Sequence, residues 1–139
     1  MSLVLDCSAT LAFLLDDEQN DNSVSVLKQI AGHGAFVPPL WAFEVGNSLT
    51  MAMRRKRINA ELLEKAMQTL KGFDIQVDQA SMDQAWRGTL ELADRYRLTI
   101  YDAAYLELAQ RRALPLATLD EALSEAARQA GLVVLMQAA

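Results

Sequence analysis

Short apolar runs alternating with helix-forming stretches constrain this chain more than any other feature. Leu3-Val4-Leu5, Ala35-Phe36-Val37, Ile75 with Val77, Leu114-Pro115-Leu116-Ala117-Thr118 and Leu132 to Leu135 are each too short for a helix. A brief run with little polar alternation reads as a strand buried on both faces. Such strands belong to parallel sheets covered by helices on both sides. The pattern predicts an α/β fold with a mostly parallel central sheet, formed as a single domain over residues 1–139.

The intervening segments read as helices: Ala9 to Leu15, Ser23 to Ala31, Leu40 to Arg55, Ala60 to Lys71, Ser81 to Tyr96, Tyr101 to Arg112 and Asp120 to Gln129. Gly32 and Gly34 close the second, Pro38-Pro39 stands at the start of the third, and Gly131 stops the last. Ala104, Leu108 and Ala109 form one apolar stripe. Leu98 to Ile100 reads as a loop and Asp16-Asp17-Glu18 as a solvated helix end.

Net charge is −5, which argues against a generic phosphate binder, since phosphate backbones attract Lys and Arg. Two cationic clusters stand out against that background: Arg54-Arg55-Lys56-Arg57, and Arg111-Arg112. They are the available footing for a nucleic acid, although cations at a helix end also complement its dipole. No apolar run approaches the ~18 residues of a membrane span. The opening Met-Ser-Leu-Val-Leu-Asp has no signal-peptide character. Cys7 is the sole cysteine, so an internal disulfide is impossible and a reducing, cytoplasmic setting is expected. Trp41, Phe43 and Trp86 are expected in the core, Cys7 as a small buried residue, and His33 in a surface loop.

In an open parallel sheet, ligands bind beyond the carboxyl ends of the strands. Asp6 directly follows the first strand, and Asp120 closely follows Leu116-Ala117-Thr118. Glu44 lies early in the helix after the second strand, and Asp102 in the first turn of its own helix. Each acid has a simpler reading. Asp6 suits a helix cap. Thr99-Ile-Tyr-Asp102 and Thr118-Leu-Asp-Glu121 both fit capping boxes. Glu44, among Leu40, Trp41, Phe43 and Val45, would be costly to bury ionised without a cation or strong hydrogen bonds; a structural salt bridge is its alternative. Asn47 shares the Glu44 face, and Ser8 and Thr118 place hydroxyls near Asp6 and Asp120. As a set, crowded carboxylates repel unless a divalent cation neutralises them. All-oxygen ligands favour Mg²⁺ or Mn²⁺, and an open site of that kind suits phosphodiester hydrolysis.

The stretches Leu-Asp6-Cys-Ser8-Ala, Phe-Glu44-Val-Gly-Asn47, Tyr-Asp102-Ala-Ala-Tyr and Ala-Thr118-Leu-Asp120 resemble the PIN-domain nucleases, and more narrowly the VapC-like toxins of toxin–antitoxin pairs. The resemblance covers essentially the whole chain, with the acids in the family's order and spacing. It implies a three-layer α/β/α sandwich and a Mg²⁺- or Mn²⁺-dependent endoribonuclease acting on RNA, usually a homodimer. It also implies a cognate antitoxin in the active-site groove and operator DNA bound only by the toxin–antitoxin complex. Asp6, Glu44, Asp102 and Asp120 match the metal-site positions, and Ser8, Asn47 and Thr118 the supporting ones. Glu121 departs from the pattern, where many relatives carry a basic or neutral residue.

A rival reading keeps the fold but makes it a catalytically idle binding or regulatory module; the complete acid set argues against decay. A phosphotransfer domain using Asp6 as nucleophile fits poorly. Haloacid-dehalogenase-like enzymes need a second Asp where Ser8 stands, and receiver domains need a late Lys, whereas no Lys follows Lys71.

Overall fold

Two strands far apart in the chain flank the first one. β1 (Val4–Leu5) pairs in parallel with β2 (Ala35–Val37) and with β4 (Leu116–Ala117). β3 (Ile75–Val77) extends the sheet beyond β2, and β5 (Val134–Leu135) extends it beyond β4. The computed structural model describes residues 1–15 and 19–136; Asp16-Asp17-Glu18 lies outside the described residues. Among these the sheet has five strands in the order β3-β2-β1-β4-β5, with every pairing parallel. The strands are shorter than the apolar runs. Leu3 and Pro115 lend their carbonyls to the Phe36 and Val4 N–H groups without being strand residues.

The helices are α1 (Cys7–Leu14), α2 (Asp21–His33), α3 (Leu40–Arg54), α4 (Ala60–Lys71), α5 (Ala80–Gln84), α6 (Gly88–Tyr96), α7 (Ile100–Arg112) and α8 (Glu121–Gln129). Parallel neighbours require crossovers, and right-handed crossovers put α1 to α4 on one face. Because the strand order reverses at β1, α5 to α8 fall on the other. The packing agrees: α1 meets α2 and α3, while α7 meets α5, α6 and α8. The result is the expected α/β/α sandwich. No helix among the described residues is long and apolar enough to cross a membrane.

The core centres on β1, β4 and α7. Val4, Leu5, Leu116 and Ala117 are fully buried, as are Ala103, Tyr105, Leu106, Leu108 and Ala109 of α7. The Ala104-Leu108-Ala109 stripe understates this burial, because α7 is enclosed by β1, β4 and three helices. Asn20 and Ser23 form a capping box that starts α2. Gly34, not Gly32, ends it, at φ 74°, where an added Cβ would lie 2.7 Å from the Asp74 carbonyl oxygen. His33 is thus the exposed last residue of a helix rather than part of a loop.

Three further expectations fail. The single helix over Ser81 to Tyr96 is two, interrupted at 85–87, where Arg87 has a non-helical backbone. Gly88 is a poor helix-interior residue, and a Cβ there would crowd the Gln84 side chain at 3.0 Å. The break leaves Trp86 88% exposed. Phe43 is 83% exposed because the core-facing stripe of α3 is Trp41, Val45, Leu49 and Ala52, roughly half a turn away. Trp41 alone of the three aromatics is buried, its Nε1–H donating to Thr10 Oγ1 at 2.9 Å.

The third concerns Arg111 and Arg112, which are held by a buried acid. Arg111 contacts Asp78 at 2.5 Å and Glu107 at 2.7 Å, and Arg112 contacts Asp78 at 2.9 Å. Arg112 also lies 4.0 Å over the Phe36 ring, a favourable cation–π position. Burial raises the Asp78 pKa, but the Arg111, Ser81 and Arg112 hydrogen bonds outweigh it and hold the carboxyl well below the ordinary range. A depressed carboxyl stabilises the fold above its unfolded pKa and loses that contribution as pH falls. Asp78→Asn should therefore cost about 1–3 kcal/mol at pH 7. Urea unfolding should show the deficit shrinking as pH drops below about 4; a pH-independent deficit would contradict the ionic account.

Candidate active site

β1 and β4 are adjacent, and their onward connections diverge, so a crevice opens beyond their carboxyl ends. Asp6 follows β1 at that edge and is 5% exposed. Its Oδ1 accepts from Ala9 N–H at 2.8 Å and Ser8 Oγ at 2.7 Å, and its Oδ2 accepts from Thr118 Oγ1. Asp6 therefore caps α1, as the simpler reading supposed, yet capping does not exhaust its surroundings. Burial pushes its pKa up to about 6 against those three hydrogen bonds, with Glu44 adding repulsion.

Ser8 and Thr118 lash the two strand ends together. Ser8 Oγ accepts from the Leu119 N–H at 2.9 Å, and Thr118 Oγ1 accepts from the Asp120 N–H at 3.0 Å. Asp120 is the N-cap residue of α8, but its carboxylate makes no capping bond, so the Thr118–Glu121 capping box does not form. Thr99 caps α7 by accepting from the Asp102 N–H, which leaves the half-buried Asp102 carboxylate to face the other acids. Its pKa rises to about 6, first through burial and then through repulsion from Asp120, Asp6 and Glu44. Glu121 is exposed in the first turn of α8.

Glu44 is half-buried, less enclosed than its apolar neighbours suggest, because Phe43 faces outward. Its Oε1 accepts from the Tyr105 hydroxyl at 2.5 Å, and that bond joins α3 to α7. Burial, followed by the Glu44 bond, raises the Tyr105 pKa, so the phenol stays protonated and donates. Sequence reasoning quoted Tyr105 within a motif but gave it no role. Its signal was a phenol one turn after Asp102 on a buried helix, where a hydroxyl needs a partner. Asn47 lies exposed on α3, one turn beyond Glu44. Cys7 is half-buried, its Sγ 3.5 Å from Ser48 Oγ.

Asp120, Asp6 and Glu44 thus each add repulsion at Asp102, and Glu44 adds it at Asp6. Among the described residues no three His, Cys, Asp or Glu side chains are gathered into a group that could hold a metal ion. Mg²⁺ does not demand such a cage, since it keeps several waters and takes one or two carboxylates. An all-oxygen donor set with two carboxyls pushed toward neutrality fits such a cation.

The chain matches the PIN domain family over residues 3–129. Ribonuclease VapC3 from Pyrobaculum aerophilum is 29% identical over 125 residues, covering 90% of this chain and 94% of that protein. The crystal structure of PAE2754, also from Pyrobaculum aerophilum, aligns with a TM-score of 0.67 at 24% identity, covering 96% of this chain and 92% of the other. That second likeness speaks to the fold.

A carboxyl raised to about 6 costs nothing below the ordinary aspartate pKa and its full penalty above pH 6. Asp102→Asn should consequently melt roughly 3–6 °C higher than the parent at pH 7 in chelator, corresponding to about 1–2 kcal/mol. The gain should vanish at pH 3.5. Identical melting at pH 7 would remove repulsion from the site.

Proposed function

Because the chain belongs to the PIN-domain family, we propose that it is a Mg²⁺- or Mn²⁺-dependent endoribonuclease, the toxin of a toxin–antitoxin pair. The observation that carries this reading is the placement of Asp6 and Asp102 where burial first, and then neighbouring acids including Glu44, push both carboxyls up to about 6. The relative named Ribonuclease VapC3 supports RNA as the substrate and a VapC-type role.

Asp6 and Asp102 are the direct ligands in this reading; Glu44 and Asp120 bind directly or through water. A divalent cation held there would neutralise the carboxylates and supply an activated water for phosphodiester hydrolysis. The chain's own groups do the positioning. Ser8 and Thr118 fix both Asp6 oxygens, and the protonated Tyr105 holds Glu44 Oε1. Glu44 or Asp120 would help to take the proton from the attacking water. Asn47 is placed to orient Glu44 or a substrate group. The same reading carries a homodimer, a cytoplasmic setting, a cognate antitoxin over the acidic groove, and operator DNA reached only through that complex.

Purified protein should cut total RNA into discrete fragments with Mg²⁺ or Mn²⁺, and not with chelator. Asp6→Asn should abolish the fragments while circular dichroism shows an intact fold. Full activity in Asp6→Asn would sink the site assignment. No cleavage by folded, antitoxin-free protein would favour the idle binding module.

A further inference from the structure

A hydrogen bond joins the two helical layers of the sandwich at the carboxyl edge of the sheet. Tyr105 belongs to α7 and Glu44 to α3, on opposite faces, and the phenol donates to Glu44 Oε1 at 2.5 Å. Tyr105 is 1% exposed and is the largest of the fully buried side chains. Because α7 is enclosed by β1, β4 and its neighbouring helices, the ring has a fixed place, and so does the donor at its tip. Asp102 stands three residues earlier on the same helix, toward the same side. Asp102 and the donor to Glu44 are therefore parts of one rigid element.

Glu44 needs such a fixture more than the aspartates do. Its side chain has one more free torsion, and ordering it costs entropy. Asp6 is held by Ala9, Ser8 and Thr118. Among the described residues Glu44 accepts a hydrogen bond from Tyr105 alone. Half-buried, it would otherwise be free to turn toward solvent. Cations differ in how much they ask of a carboxylate's position. Mg²⁺ demands near-ideal octahedral geometry at short distances, whereas Ca²⁺ accepts a variable number of oxygens in flexible arrangements. A site whose acids are fixed beforehand suits the first, and a loosened one penalises the first more than the second.

We propose that Tyr105 is a positioning residue that sets the cation preference of the site: it pins Glu44 Oε1 in a fixed relation to Asp102 and so favours Mg²⁺ over Ca²⁺. The proposal rests on the metal-dependent reading above and adds selectivity to it, assigned to a residue that need not touch the cation.

Mn²⁺ binding without RNA, read from the electron paramagnetic resonance of the free ion, tests this, and displacement by Mg²⁺ or Ca²⁺ gives the preference. Tyr105→Phe removes one oxygen and keeps the ring in the core. It should weaken Mg²⁺ binding about 10- to 100-fold, weaken Ca²⁺ binding less, and so narrow the ratio between them. A hydroxyl that served packing alone would leave that ratio unchanged. In a Glu44→Ala background, adding Tyr105→Phe should cost no further affinity, because the tyrosine acts through the carboxylate. An unchanged ratio, or an equal loss in the Glu44→Ala background, overturns the proposal. A second measurement leaves Tyr105 in place: ¹³C resonance at tyrosine Cζ, with Tyr96→Phe and Tyr101→Phe assigning the three signals. Saturating Mg²⁺ should move the Tyr105 signal in the parent and not in Glu44→Ala; an indifferent signal in the parent counts against the role. Mn²⁺ binding that Tyr105→Phe leaves unaltered refutes the tyrosine's part alone. Absence of Mn²⁺ binding by the folded parent refutes the metal-dependent reading, and this inference with it.

Discussion

Asp6 is where the sheet and the site become the same set of bonds. Its N–H donates to the Ala117 carbonyl of β4, and its carboxylate gathers the Ser8 and Thr118 hydroxyls and the Ala9 N–H. Those hydroxyls in turn accept from Leu119 and Asp120. Thr10 donates back to the Asp6 carbonyl at 2.7 Å while accepting from Trp41, which brings α3 into the network. A buried carboxylate without donors would be untenable, and even with them it remains near pKa 6. Substitutions at Ser8 or Thr118 consequently act on the β1–β4 seam as well as on the Asp6 carboxylate.

Helix α7 carries this arrangement across the molecule. Asp102 at its N-terminal end belongs to the acidic crevice, and Arg111 and Arg112 at its C-terminal end grip Asp78, just after β3. The charge order matches the helix dipole at both ends. With Tyr105 bonded to Glu44 between them, α7 connects the site to the end of the outer strand β3 through ionic and hydrogen-bonded contacts. Little of it can shift without disturbing one of these ends.

The strands and the order of the acids were readable because both are local. A doubly buried strand must be an apolar run, and the residue after it sits at a sheet edge whatever its neighbours are. The Asp78–Arg111 pairing was not readable: the partners lie 33 positions apart, and each alone looks like an ordinary surface charge. Capping logic held at Thr99, which accepts from the Asp102 N–H, but not at Thr118, which accepts from the Asp120 N–H while Asp120 itself stands at the N-cap. Phe43 illustrates a different failure. Apolar character placed it in the core, whereas the phase of Trp41, Val45, Leu49 and Ala52 puts it outside. That phase was present in the sequence, as was Gly88 at the break near Trp86.

The split between α5 and α6 gives the molecule two tryptophans in opposite surroundings. Trp41 is enclosed and one hydroxyl away from the Asp6 backbone, while Trp86 stands in solvent. Their emission is therefore separable by colour and by quencher access. With Trp86 replaced by phenylalanine, the remaining indole becomes an intrinsic optical reporter of the carboxyl end of β1, needing no attached dye.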